Sequence, residues 1–266
     1  MTDERGPGPD YAPYTAPAGE QQRAFAAAAT ASVSAPGYRE HRLTMWLACG
    51  TLSIQALSQI VAGAWGLNHV FGWTSLEQTP LVRRIVVALH ASHVYIFGLG
   101  VVGFALFLLN ANRNARAFFA AEFDTASSEE VEDDDEIDYS LALRPRLLQF
   151  SPASMAWWFF VPIFNFFRPF QAVKAVWLAS TPKGAAKETQ DSTLPLAWWL
   201  AWLAYWLSAM LVSPKRRPVW LSQRGYDLSF VASAGVRLIA CFFALQMVRA
   251  LYERQRTRAA ELWPQN

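Results

Sequence analysis

The chain has 266 residues, of which 53% are hydrophobic and 17% charged, with a formal net charge of +2. Soluble domains carry about 25% charged residues, so the composition argues against an ordinary water-soluble globule. It also lacks the basic stripe of a nucleic-acid binder, and no nucleic-acid partner is expected.

Residues 1–38 form a tail rich in Pro, Gly, Ala and Ser. Too few large apolar side chains are present to build a core, so this stretch is expected to be disordered. Val33, Ser34 and Ala35 mimic a leader cleavage site, yet Asp3, Glu4, Asp10 and Glu20 precede them. An alanine run is also a poor apolar leader, so the first apolar run reads as an uncleaved signal-anchor.

A hydrocarbon core about 30 Å thick takes roughly 20 helical residues to cross. Residues 43–67 supply the first such run, with Trp46 and Trp65 near its ends, where indole rings favour the interface. A short loop with Arg83 and Arg84 leads to a second run, 85–109. Gly98, Gly100 and Gly103 in its second half admit close approach of another helix. The polar stretch Asn110–Arg116 then leaves the apolar region for the loop 117–146. That loop holds eight carboxylates between Glu129 and Asp138. It lacks the central Gly and closing Glu of an EF-hand and reads as a solvated linker, with a basic partner as the functional alternative.

Residues 150–177 read FSPASMAWWFFVPIFNFFRPFQAVKAVW. Ser151-Pro152 predicts a helix start, a capping hydroxyl followed by proline at the first helical position. Pro162 and Pro169 then interrupt the helix by removing donors and crowding earlier carbonyls. Asn165, Arg168, Gln171 and Lys174 recur every three residues as a polar stripe. This segment is a re-entrant or interfacial element, or else a fifth span. The run 194–212 carries no charge, and its Trp198, Trp202 and Trp206 share one face, which reads as packing or lipid contact. A basic loop with Lys215, Arg216 and Arg217 precedes the last run, 228–248, which contains Arg237, and a charged tail, 257–266, closes the chain.

Positive charge favours the cytoplasmic side. With five spans, Lys and Arg divide ten to eight; with a central segment that does not cross, they divide fourteen to six. The expected fold is therefore an all-α integral membrane protein. Its bundle has four full transmembrane helices beside the Pro-broken segment, within a transmembrane domain of residues 39–256, and both termini are cytoplasmic.

The central segment resembles a bacterial multi-pass membrane family, domain of unknown function 4328. The resemblance rests on Ser151, Pro152, Trp158, Phe160, Val161, Pro162, Ile163, Asn165, Pro169, Gln171, Trp177, Ala179 and Ser180. It extends to Asn112–Arg116, to Trp198, Trp199 and Trp202, and to Glu253-Arg254-Gln255. The resemblance implies a protein of the bacterial cytoplasmic membrane and implies no reaction.

Four residues are the candidate polar membrane site: Asn165, Arg168, Gln171 and Arg237. A mid-span Arg costs about 2.5–3.5 kcal/mol to insert, and no Asp or Glu lies in any of the expected spans. Arg237 therefore either attracts an anion within the bundle or snorkels toward the interface. His90 and His93, spaced i and i+3, are weaker candidates; two imidazoles do not complete a catalytic zinc site, which takes three protein ligands. Cys49 and Cys241 lie in apolar runs and read as small hydrophobic residues. No phosphate-binding loop, serine elbow or HExxH motif is present. The expectation is a non-enzymatic scaffold, regulator or complex subunit without cofactor. Its partners are the lipid bilayer and a membrane protein met through helix packing or the acidic loop. The alternative is a small-solute carrier or channel built on the broken segment and Arg237.

Overall fold

A computed structural model describes residues 38–72, 80–128, 151–159, 161, 166–182, 193–211 and 222–263. The N-terminal tail, the acidic run, Pro162 and Asn165 lie outside the described residues. Six helices follow in order: α1 (Arg42–Phe71), α2 (Pro80–Ser128), α3 (Pro152–Trp157), α4 (Arg168–Ala179), α5 (Leu194–Leu211) and α6 (Gln223–Leu262). No strand occurs among the described residues.

Local chemistry sets the helix ends. The αL residue Gly72 (φ 61°) closes α1 by donating its N–H to Asn68 O at 2.8 Å. Ser151 caps α3 as its sequence predicts: its Oγ accepts from Ser154 N–H at 3.1 Å, and Pro152 follows at the first position. Pro169 falls in the first turn of α4, where its missing donor costs nothing. Ser222 caps α6 in the same way as Ser151 caps α3.

Three helical stretches are long and apolar enough to cross a membrane: Arg42–Phe71, Ser92–Glu122 and Gln223–Leu262. The apolar α5 is shorter, at 18 residues. Two helices outrun their apolar runs. The 49-residue α2 continues through Asn110–Arg116 to Ser128, and the 40-residue α6 continues past Val248 to Leu262.

α1 packs antiparallel to α2 and to α6, so α2 and α6 run parallel, with His93 beside Arg237 and Ala111 beside Gln255. Glycines on α2 bring α1 close: a Cβ at Gly100 would meet Gln55 Oε1 at 2.7 Å, and one at Gly103 would meet Thr51 Oγ1 at 2.9 Å. The close approach expected of the α2 glycines is thus present at two of the three; Gly98 faces open space. Gly66 lies against Val231 of α6, at the end of the bundle opposite Glu40 and Tyr252. The tryptophan face of α5 packs inward on α2. Phe104 stacks on Trp198 at 5.3 Å, while Phe97 meets Trp202, Tyr205 and Trp206 at 6.1, 5.1 and 5.7 Å. Numbering rises along α5 as it falls along α2, so the chain leaves α2 and enters α5 at the same end of the bundle. We call this the inner end; it also holds Arg39 and the C-terminal half of α6. Around this seam a core of Ala48, Leu52, Phe107, Leu108, Met155, Trp177, Trp198, Met247 and Leu251 is almost wholly buried. Leu57, Ile60, Leu99, Leu207 and Phe242 point outward and stay exposed.

Candidate functional site

Two polar clusters interrupt this apolar packing. The first lies halfway along the bundle and draws on four helices. From α1, Gln55 Nε2 donates to Tyr205 Oη on α5 at 3.1 Å, and Gln59 Nε2 lies 3.2 Å from His93 Nδ1 on α2. Arg237 of α6 places Nη1 3.3 Å from His93 Nε2 and its guanidinium carbon 5.5 Å from the Tyr205 ring centroid. Gln55, Gln59 and Tyr205 are buried; His93 and Arg237 are half-buried.

Proton bookkeeping constrains this chain. Arg237 is a donor only, so the His93 Nε2 facing it is the acceptor. A neutral imidazole has one acceptor nitrogen, so Nδ1 carries the proton. Gln59 satisfies Nδ1–H when its amide is turned so that the oxygen faces the ring, since side-chain amide O and N are assigned from the hydrogen-bond network. The relay then runs from Arg237 Nη1 to His93 Nε2 and from His93 Nδ1–H to Gln59.

The second cluster lies at the inner end. Asn114 pairs with the backbone of Arg39 in both directions, accepting its N–H at 3.2 Å and donating to its O at 3.1 Å. Its Nδ2 also lies 2.9 Å from His41 Nδ1. Gln255 of α6, fully buried, donates to Ala111 O at 2.7 Å and to Ser180 Oγ at 2.9 Å. One amide thus holds α2, α6 and the end of α4 together. Alongside, Asn112 accepts from Arg116 Nε at 3.0 Å and sets its own Nδ2 2.9 Å from Met155 Sδ of α3, while Arg254 lies 4.0 Å over the Trp177 ring. Arg258, 2% exposed, pairs with Glu122 and with Glu261. Burial lowers the pKa of His41, and burial aided by Tyr252 and Glu40 pushes the Tyr38 phenol up to about 12.

The four residues singled out in sequence fall in different places. Arg237 joins the mid-bundle cluster. Arg168 stacks on Trp158 at 5.5 Å, Gln171 is exposed on α4, and Asn165 lies outside the described residues. Ser180, after the last turn of α4, bonds Gln255, 18 residues along α6 from Arg237 and so about 27 Å along its axis. His93 spends both ring nitrogens on Gln59 and Arg237, while the side chain of His90 lies outside the described residues. Among the described residues no group of three or more His, Cys, Asp or Glu is placed to hold a metal ion. Cys49 and Cys241 are buried free thiols.

Sequence reasoning missed Gln55, Gln59 and Tyr205. The available signal was two amides spaced i and i+4 inside an uncharged apolar run, where a polar group demands a partner.

These features define a class: an all-helical bundle with three helices long and apolar enough to cross a membrane. Within that class, the chain belongs to the family of domain of unknown function 4328, whose profile matches residues 75–253. That match takes in α2 to α5 and most of α6; it includes His93, Asn114 and Arg237 and stops two residues short of Gln255. No curated protein and no solved structure matches the chain.

Proposed function

We propose that this protein is a non-enzymatic component of the bacterial cytoplasmic membrane, a scaffold, regulator or complex subunit, with four crossings and both termini cytoplasmic. The observation that carries this reading is how the buried polar groups are used. Gln55, Gln59, His93, Asn114, Gln255 and Ser180 bond from one helix to another, so their chemistry is consumed in assembly. Hydrogen bonds of this kind between membrane helices contribute about 0.6–2 kcal/mol each. The antiparallel ladder of Phe97 and Phe104 with the α5 aromatics supports four crossings, because α2 ends and α5 begins on one side. The uneven division of Lys and Arg supports placing that side in the cytoplasm.

Two measurements test this. In a variant lacking Cys49 and Cys241, single cysteines at 140 and 185 label from the cytoplasm and one at 220 labels from outside. Labelling of 140 and 185 from opposite sides overturns four crossings. Cross-linking in native membranes, followed by purification, recovers a stoichiometric protein partner; a chain recovered alone that moves solute into liposomes overturns the scaffold.

One observation favours a second reading, a small-solute carrier or channel. Among the described residues, Arg237 carries a formal charge that its mid-bundle neighbours do not cancel. Saturable flux lost in Arg237→Gln supports this reading, and no flux for any ion or small solute removes it.

A further inference from the structure

Among the described residues, the mid-bundle cluster contains one cation and no anion. His93, Gln59, Gln55 and Tyr205 are neutral partners. No carboxylate lies in α1 or α5, and the nearest on α6 itself is Asp227. Asp227 is ten residues away, about 15 Å along the axis, and accepts from Gln223 at 2.9 Å. A cation so placed in apolar surroundings is costly until a counter-charge reaches it.

Two atoms on one face of α6 lack partners. Arg237 Nε is buried without a hydrogen bond. One turn earlier, Ser233 is 4% exposed, and its Oγ is likewise buried without a hydrogen bond. Other hydroxyls in these helices turn back onto their own backbone: Ser208 to Tyr205 O at 2.8 Å, Ser229 to Gly225 O at 2.9 Å, Thr51 to Leu47 O at 2.9 Å. Ser233 does not. Residues spaced i and i+4 are surface neighbours, with Cβ atoms about 5–6 Å apart. A guanidinium N–H and a hydroxyl therefore lie side by side, both able to donate, beside an uncompensated positive charge.

We propose that this place binds a small monovalent anion, chloride or a carboxylate as small as formate, between Arg237 Nε and the Ser233 hydroxyl. A guanidinium N–H, which carries positive charge and cannot accept, beside a hydroxyl able to donate selects an anion over a cation. A single negative charge cancels the guanidinium, whereas a dianion leaves an uncompensated charge in an apolar site. The i to i+4 spacing suits an ion a few ångströms across. Arg237 keeps its bond to His93 through Nη1, so the relay to Gln59 fixes the guanidinium while Nε faces the ion. The proposal rests on the site of the carrier reading and not on transport.

The test uses the full chain purified in detergent, exchanged into sodium sulfate at constant ionic strength and titrated with sodium chloride or sodium formate. Tryptophan fluorescence and Tm are followed together. Wild type shows a saturable Tm rise and a saturable fluorescence change with either monoanion and neither with sulfate. Arg237→Gln abolishes both. Ser233→Ala weakens the midpoint about tenfold, the effect of one hydrogen bond to a charged group. Should Arg237→Gln not fold, Ser233→Ala decides alone. Responses that never saturate, or that match in wild type and Ser233→Ala, overturn the site. Liposome flux separates the two ideas: binding without flux keeps the site and ends the carrier, whereas flux lost in Arg237→Gln with no saturable Tm or fluorescence response in wild type ends the site and keeps the carrier.

Discussion

Arg258 and Arg237 lie on the same helix in opposite electrostatic surroundings. At the inner end Arg258 is almost wholly buried and answered by Glu122 and Glu261. Halfway along, Arg237 meets an imidazole and a phenol ring, and its Nε has no hydrogen-bond partner. At the inner cluster Gln255 and the charge of Arg258 find complements within the fold, although Arg258 Nε, like Arg237 Nε, has no hydrogen-bond partner. The mid-bundle cluster is complete in hydrogen bonds along one side and incomplete in charge. A buried polar network that balances is architecture; one carrying a net charge has capacity to take something up.

This contrast is sharpest in the substitutions that separate the two arginines. Arg258→Leu leaves Glu122 in a poorly solvated place without its cation and is expected to cost about 3–5 kcal/mol, read as a large fall in Tm in detergent. An unchanged Tm breaks the claim that the inner cluster answers the charge of Arg258. Gln255→Leu is expected to cost about 2–3 kcal/mol, because Ser180 and the Ala111 carbonyl lose a buried partner. Limited proteolysis near residue 180 is expected to speed up in the same variant, and protection equal to wild type counts against the link to α4. Arg237→Leu is expected to have the opposite sign. Without monovalent anion, losing an uncompensated cation raises stability by up to about 2 kcal/mol, the insertion gain offset by the lost bond to His93. A destabilised variant erases the difference between the clusters.

The smallest effect comes from pH. Burial lowers the folded-state pKa of His41 below its ordinary 6.5, and Asn114 already donates to its Nδ1. The unfolded chain therefore takes up a proton first as pH falls. His41 contributes its full stability above about pH 6.5 and loses it below, with a slope approaching 1.4 kcal/mol per pH unit. Tm measured from pH 7.5 down to 5.5 reads this slope, which His41→Gln removes.

Much of the fold is legible in the sequence because its causes are local. Apolar runs of the right length mark α1, α2, α5 and α6, and Ser151-Pro152 marks the start of α3. The four-residue repeat of Trp198, Trp202 and Trp206 marks a packing face. What escapes is set by distant partners. Asn110–Arg116 reads as an exit from apolar surroundings, yet the helix continues to Ser128 because Asn112 and Asn114 find Met155, Arg39 and His41. The charged stretch after Val248 stays helical for a similar reason, with Gln255 and Arg258 buried against other helices. Arg237 stands out in sequence because a charge in an apolar run is costly. Its partners do not, because Gln59 and His93 lie on other helices and nothing local announces that they meet.

The 40-residue length of α6 has a mechanical consequence. Arg237 and Gln255 are 18 residues apart, five whole turns at 3.6 residues per turn, so both point in the same direction from one rod. A twist of this rod near Arg237 is carried along the axis toward Gln255, which grips Ser180. The rod is a crankshaft whose two cranks stand in phase.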